Sequence, residues 1–152
     1  MRAAYPHRGF SLIEVLMVVG LMAIALALFS GVVGGGLDGM RLRNAAKEVA
    51  AQLRYARSMA IASGEATAFS LDVDSAHWTT GRREGDLAGK PTLEVMTAAQ
   101  EQVEAGVARI RFFPDGSSTG ANITLSKGSA RWLVEVRWLT GEVRLSRGSG
   151  TP

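Results

Sequence analysis

From Val15 to Leu37, a stretch of 23 residues, every residue is apolar or glycine except Ser30. As a helix rising about 1.5 Å per residue the run spans about 34 Å, enough to cross a bilayer with about 30 Å of hydrocarbon. Arg2 and Arg8 precede it and no comparable apolar segment follows. The positive-inside tendency then puts the N-terminus in the cytoplasm and everything after Asp38 across the membrane. The expectation is a single-pass protein whose remaining residues form one domain, given usual domain sizes of roughly 100 to 200 residues.

A secretory signal peptide is the competing reading, because Ala23-Ile24-Ala25 and Ala25-Leu26-Ala27 both satisfy a small-x-small cleavage pattern. Such signals have apolar cores of roughly 7 to 15 residues followed by a more polar region. Here hydrophobicity continues through Phe29, Val32 and Val33, which favours an anchor. Glu14, at the head of the run, sets a further condition. An acidic side chain costs about 2.5 to 3.5 kcal/mol at the centre of a membrane helix and less near its end. Glu14 is either solvated by headgroups or neutralised by an amine. A cut between Gly9 and Phe10 would supply that amine one helical turn before Glu14, on the same chain or on a neighbouring copy.

These residues together, Arg8-Gly9, then Phe10, then Ser11-Leu12-Ile13-Glu14-Val15 and an apolar helix, resemble a type IV pilin or type II secretion pseudopilin precursor. The resemblance implies that a membrane-embedded prepilin peptidase cuts after Gly9 and methylates the amino group of Phe10, and that Glu14 recruits subunits into a filament. One departure from the pattern is the missing helix proline of many such proteins. The chain carries Gly31, Gly34, Gly35, Gly36 and Gly39 instead. Each glycine costs a helix roughly 1 kcal/mol relative to alanine, so the helix is expected to loosen or bend there. Gly31, Gly35 and Gly39 also have the four-residue spacing of closely packed helices.

After the glycines, Leu42, Ala46, Val49, Leu53, Ala56 and Ala60 form one apolar stripe at helical spacing. Arg43, Lys47, Arg54 and Arg57 fall largely on other faces and are expected to be solvated, with an anionic lipid, nucleic acid or partner surface as the alternative. Ser63-Gly64 is the expected stop. Beyond it the period becomes two, in Phe69 to Val73, Arg109 to Phe112, Trp132 to Trp138 and Val143 to Leu145, with Leu93 to Met96 and Ile123 to Leu125 added. Six to eight short strands follow. The predicted fold is α+β and pilin-like: a long N-terminal helix, part transmembrane and part amphipathic, packed on an antiparallel β-sheet or sandwich. Arg82 to Gly89 and Ala98 to Gly106 read as exposed loops or a short helix. Trp78, Trp132 and Trp138 are expected to pack in the core rather than stack on bases or peptides.

Phe112-Phe113-Pro114-Asp115-Gly116-Ser117 and Leu139-Thr140-Gly141-Glu142-Val143-Arg144-Leu145 are similar to the C-terminal part of H-type minor pseudopilins and of FimT- and FimU-like minor pilins. The resemblance implies residues 1–9 as leader, 10–37 as transmembrane helix, 38–64 as its amphipathic periplasmic half and 65–152 as a periplasmic β-rich domain. It implies a structural subunit at or near the tip of a short periplasmic pseudopilus that helps export folded proteins across the outer membrane of a Gram-negative bacterium. Its partners would be other minor and major pseudopilins, the prepilin peptidase and an inner-membrane assembly platform driven by a cytoplasmic ATPase. The alternative is a minor type IV pilin for pilus assembly, twitching or DNA uptake. That alternative needs Arg109, Arg111, Arg131, Arg137, Arg144 and Arg147 to gather on one exposed surface.

Net charge argues little for nucleic acid. Although the pI is 9.8, removing Arg2 and Arg8 with the leader lowers the formal charge from +3 to +1. The chain has no cysteine, which excludes disulfides, thiolate metal sites and cysteine nucleophiles. An anchored periplasmic enzyme is the third class. Gly116-Ser117-Ser118-Thr119-Gly120 matches the G-x-S-x-G spacing, but that chemistry needs a strand-to-helix turn with a later acid and histidine. No histidine follows His77. Asp72-Val73-Asp74-Ser75 begins like a calcium loop and lacks its remaining ligands. No cofactor or metal is expected.

Overall fold

A computed structural model describes residues 11–97 and 106–148, with the side chains of all of these except 28–36. The chain divides into two compact units, Met1–Leu37 and Asp38–Pro152. Helix α1 runs Leu12–Ser63, and its backbone stays helical through Gly31 to Gly39. The glycines cost the helix free energy relative to alanine without ending it. Most of the four-residue glycine pattern falls within residues 28–36, the part of the expected membrane segment whose side chains are outside the described set. Phe10 and residues 1–9 lie wholly outside it. Among the described residues no helix is long and apolar enough to cross a membrane.

In the Asp38–Pro152 unit the predicted stripe is the core. Leu42, Ala46, Val49, Leu53, Ala56 and Ala60 are all buried, joined by Ala45 and Ala50. The alanines favour the helix intrinsically and leave little side-chain bulk on its buried face. Gly64 then takes φ 71°, and its N–H donates to the Ala60 carbonyl at 3.1 Å. A left-handed residue at this position satisfies a terminal carbonyl and ends the helix.

Eight strands follow: β1 Thr67–Asp72, β2 His77–Thr80, β3 Arg83–Asp86, β4 Thr92–Thr97, β5 Val107–Phe112, β6 Ala121–Lys127, β7 Ala130–Val136 and β8 Val143–Arg147. They form two four-stranded sheets, ordered β3-β2-β1-β5 and β4-β6-β7-β8, with every pairing antiparallel. One core cluster joins the helix to both sheets, through Phe69, Leu71, Ile110 and Phe112 on the first and Leu93, Ile123, Leu125 and Val134 on the second. Fully burying such side chains stabilises a fold by about 1.5 to 3 kcal/mol each.

Two expectations need correction. Arg82 to Gly89 contains strand β3, whose Arg-Glu-Gly-Asp sequence has no apolar face to signal it; it is held by register with β2, Trp78 opposite Gly85. A Cβ at Gly85 would come within 2.9 Å of Trp78 Cζ2, so the absent side chain makes room for the indole. Trp138 is the other. It lies beyond the end of β7 and is 67% exposed, whereas Trp78 is buried and Trp132 packs partly buried against the core. The expected loop from Ala98 lies outside the described residues as far as residue 105.

Candidate functional site

Glu14 sits in the first turn of α1. The N–H groups of Glu14 and Val15 donate to the Ser11 carbonyl at 3.0 and 3.3 Å, so Ser11 opens the helix. A carboxylate three residues on is favoured by the positive end of the helix dipole. Glu14 is exposed, as are all the side chains from Ser11 to Ala27, with Leu12 80%, Leu16 63% and Leu26 69% exposed. A helix apolar on every face belongs in lipid or among other helices. Gly9 and Phe10, the expected cleavage pair, lie outside the described residues.

The two C-terminal motifs singled out above meet in one place. In the Pro-Asp-Gly turn, Asp115 accepts from the Ser117 N–H at 2.9 Å and from its hydroxyl at 2.6 Å. Those bonds, the hydroxyl first, hold the Asp115 carboxyl below its usual range. The Phe113 carbonyl accepts from the Gly116 N–H at 2.9 Å, and Gly116 adopts φ 83°. In the closing turn, the Gly141 N–H donates to Arg137 O at 2.8 Å, and the Ser118 N–H reaches across to Trp138 O at 2.8 Å. The two turns touch: a Cβ at Gly141 would strike the Gly116 carbonyl and lie 2.9 Å from Arg57 Nε.

Helix α1 braces this junction. Arg57 Nε donates to Gly116 O and an Arg54 guanidinium nitrogen to Val143 O, each at 3.0 Å. Arg43 stacks over Trp132 at 5.9 Å. Three of the four helix cations expected to be merely solvated thus tie the helix to the second sheet or the turn beside it. Sequence reasoning missed this because the partners are backbone carbonyls and a ring far along the chain. Glu48 does the same toward the first sheet, accepting from Trp78 Nε1 at 3.0 Å.

The catalytic candidates resolve into structure. Ser118 is buried; its hydroxyl donates to Arg137 O at 3.3 Å and accepts from the Gly120 N–H at 3.1 Å, and the chain leads into strand β6 rather than a helix. His77 Nδ1 meets Asp86 Oδ1 at 2.9 Å on the first sheet. Asp72 closes a turn, accepting from the N–H groups of Asp74 and Ser75 at 2.9 and 3.0 Å. The Ser75 bonds hold its carboxyl low. Among the described residues no group of three or more His, Cys, Asp or Glu could hold a metal ion. The basic strand residues divide between sheets: Arg109 and Arg111 are on β5, the rest on or beside β7 and β8. There Arg144 and Arg137 share Glu142, at 2.9 and 3.5 Å.

An N-terminal helix packed on two antiparallel sheets, with a carboxylate in the first turn of an outward-facing apolar segment, defines a pilin-like α+β protein. Residues 45–141 match the family described as type II transport protein GspH, and residues 6–30 match the prokaryotic N-terminal methylation motif. The chain belongs to the GspH family. It is 46% identical over 138 residues to a type II secretion system protein H of Xanthomonas campestris pv. campestris, a match covering 90% of this chain and 82% of that protein. The fold is shared with the minor pseudopilin EpsH of Vibrio cholerae, at a TM-score of 0.56, 16% identity and coverage of 70% and 97%. It is shared too with the type IV minor pilin FimU of Pseudomonas aeruginosa, at 0.54, 19% identity and coverage of 68% and 91%.

Proposed function

We propose that this chain is an H-type minor pseudopilin of a type II secretion system, a structural subunit without a reaction of its own, placed at or near the tip of a periplasmic pseudopilus. The observation that carries this reading is Glu14, exposed in the first turn of a helix whose described apolar side chains from Leu12 to Leu26 face outward. Residues 1–9 are a leader removed by prepilin peptidase, which cuts between Gly9 and Phe10 and methylates the new amino group. Residues 10–37 then anchor the chain once through the inner membrane, with residues 38–64 and 65–152 in the periplasm.

A carboxylate in this setting is stabilised by an amine brought beside it. In a filament that amine is the Phe10 terminus of a neighbouring pseudopilin or of the same chain, so a subunit acquires its assembly contact only after cleavage. The braced C-terminal unit supplies rigid surfaces for neighbouring subunits and the assembly platform. Expression of Gly9→Ala in cells carrying the secretion system tests the junction. The variant is expected to keep precursor size on an immunoblot; a mature-sized product would contradict the assigned cut.

A further inference from the structure

We infer that the Asp38–Pro152 unit carries a lipid-headgroup surface, a basic collar that seats it on an anionic bilayer at the end where α1 enters. Four separated pieces of chain build it. Arg41 lies against Gly89, where a Cβ would come within 3.4 Å of Arg41 Cβ, and Lys90 follows at φ 40°. Lys127 Nζ donates to the Gly89 carbonyl at 2.5 Å, which ties the β6–β7 hairpin to the same loop. Arg131 follows in β7, and its carbonyl accepts from the Gly148 N–H at 3.0 Å. Arg147 stands opposite Trp132 in register, and Arg43 covers that ring.

All six cations, Arg41, Arg43, Lys90, Lys127, Arg131 and Arg147, are exposed. Among the described residues one ion pair involves them, Arg41 with Asp38 at 3.6 Å. Asp38 is the acid that α1 brings to this end, while Asp72, Asp74 and Asp86 lie on the first sheet or its β1–β2 turn, where Asp72 holds its turn and Asp86 faces His77. The end is therefore polarised, cationic on the side of the second sheet.

Position selects the occupant. Arg41 stands four residues after Leu37, about 6 Å along a helix, within a Debye length of about 8 Å of a surface at that level. Clustered cations beside a membrane segment attract anionic headgroups. Met40, 64% exposed, adds an apolar side chain next to Arg41 within the same unit. The inference rests on the reading that residues 10–37 span the membrane.

The test uses the full chain reconstituted in vesicles of phosphatidylcholine alone or of an equimolar mixture with phosphatidylglycerol. Flotation comes first: a chain that fails to float with either vesicle removes the membrane reading and this inference together. In a floating chain, amide hydrogen exchange at Lys90, Lys127, Gly128 and Ser129 is expected to slow several-fold in the anionic vesicles, and added salt should reverse the effect. Arg131→Glu with Arg147→Glu should abolish it, and the paired lysine variants should keep it. Equal exchange in both vesicles would overturn the inference and leave the anchor intact, as would protection retained by the glutamate variants. Protection by a DNA oligonucleotide but not by phosphatidylglycerol would overturn it in favour of a nucleic-acid surface.

Discussion

Arg57 donates from Nε to the carbonyl of Gly116 at 3.0 Å, across 59 residues of sequence. That bond joins helix α1 to the Pro-Asp-Gly turn, and Gly141 of the closing hairpin packs against both partners. The two C-terminal motifs are thus halves of one joint, and the helix is its third member.

Gly141 adopts φ 59°, a conformation that costs an alanine about 1 to 2 kcal/mol, and the added Cβ would also push on the Gly116 carbonyl and Arg57. Gly141→Ala is therefore expected to destabilise the fold by at least about 1 to 2 kcal/mol in denaturant unfolding. Combined with Arg57→Ala, the loss should fall short of the sum by about 0.5 to 3 kcal/mol. Strict additivity would show that the two residues do not share a joint.

Trp78 is 5% exposed and its indole N–H has Glu48 as acceptor. Glu48→Leu leaves that donor without a partner and should cost about 1 to 3 kcal/mol, whereas Glu48→Gln retains an acceptor oxygen and should cost less. Unfolding followed by tryptophan fluorescence measures both. An equal loss from Glu48→Leu in a Trp78→Phe background would place the effect elsewhere.

Acid should loosen the turns before it loosens the core. Arg144, first by its hydrogen bonds and then by its charge, holds the Glu142 carboxyl below its ordinary value of 4.5, and the Asp72 and Asp115 carboxyls are held below 3.8 by the bonds from Ser75 and Ser117. A carboxyl with a depressed folded pKa stabilises fully above its unfolded value and loses that contribution as pH falls through the folded one. The melting temperature is expected to be level from neutrality to about 4.5 and to decline below it. Glu142→Gln should make the decline shallower; an unchanged slope would mean the Arg144 pairing contributes nothing.

The helix stripe was legible because burial on one face imposes a period on local sequence, and Leu42 through Ala60 carry it. The strands of the second sheet were legible from alternation for the same reason, until Trp138. There the apparent period continues, but β7 has ended and the Trp138 carbonyl is turned to receive the Ser118 N–H, a pairing set by a segment 20 residues earlier. Strand β3 was illegible because an exposed edge strand needs no apolar face. The bonds of Arg54 and Arg57 were illegible too, since any carbonyl can accept them and nothing nearby in sequence marks which one does. Glu14 needed no structure to stand out, being a lone acid at the head of an apolar run.

The proposed role makes Glu14 an assembly contact rather than a folding or processing residue. The most direct measurement is co-purification of Glu14→Ala with the other pseudopilins, beside its size on an immunoblot and secretion by cells in which it replaces the wild-type chain. The expected result is a mature-sized, membrane-associated protein that is depleted from the pseudopilin assembly and supports secretion poorly. Wild-type incorporation together with normal secretion would contradict it.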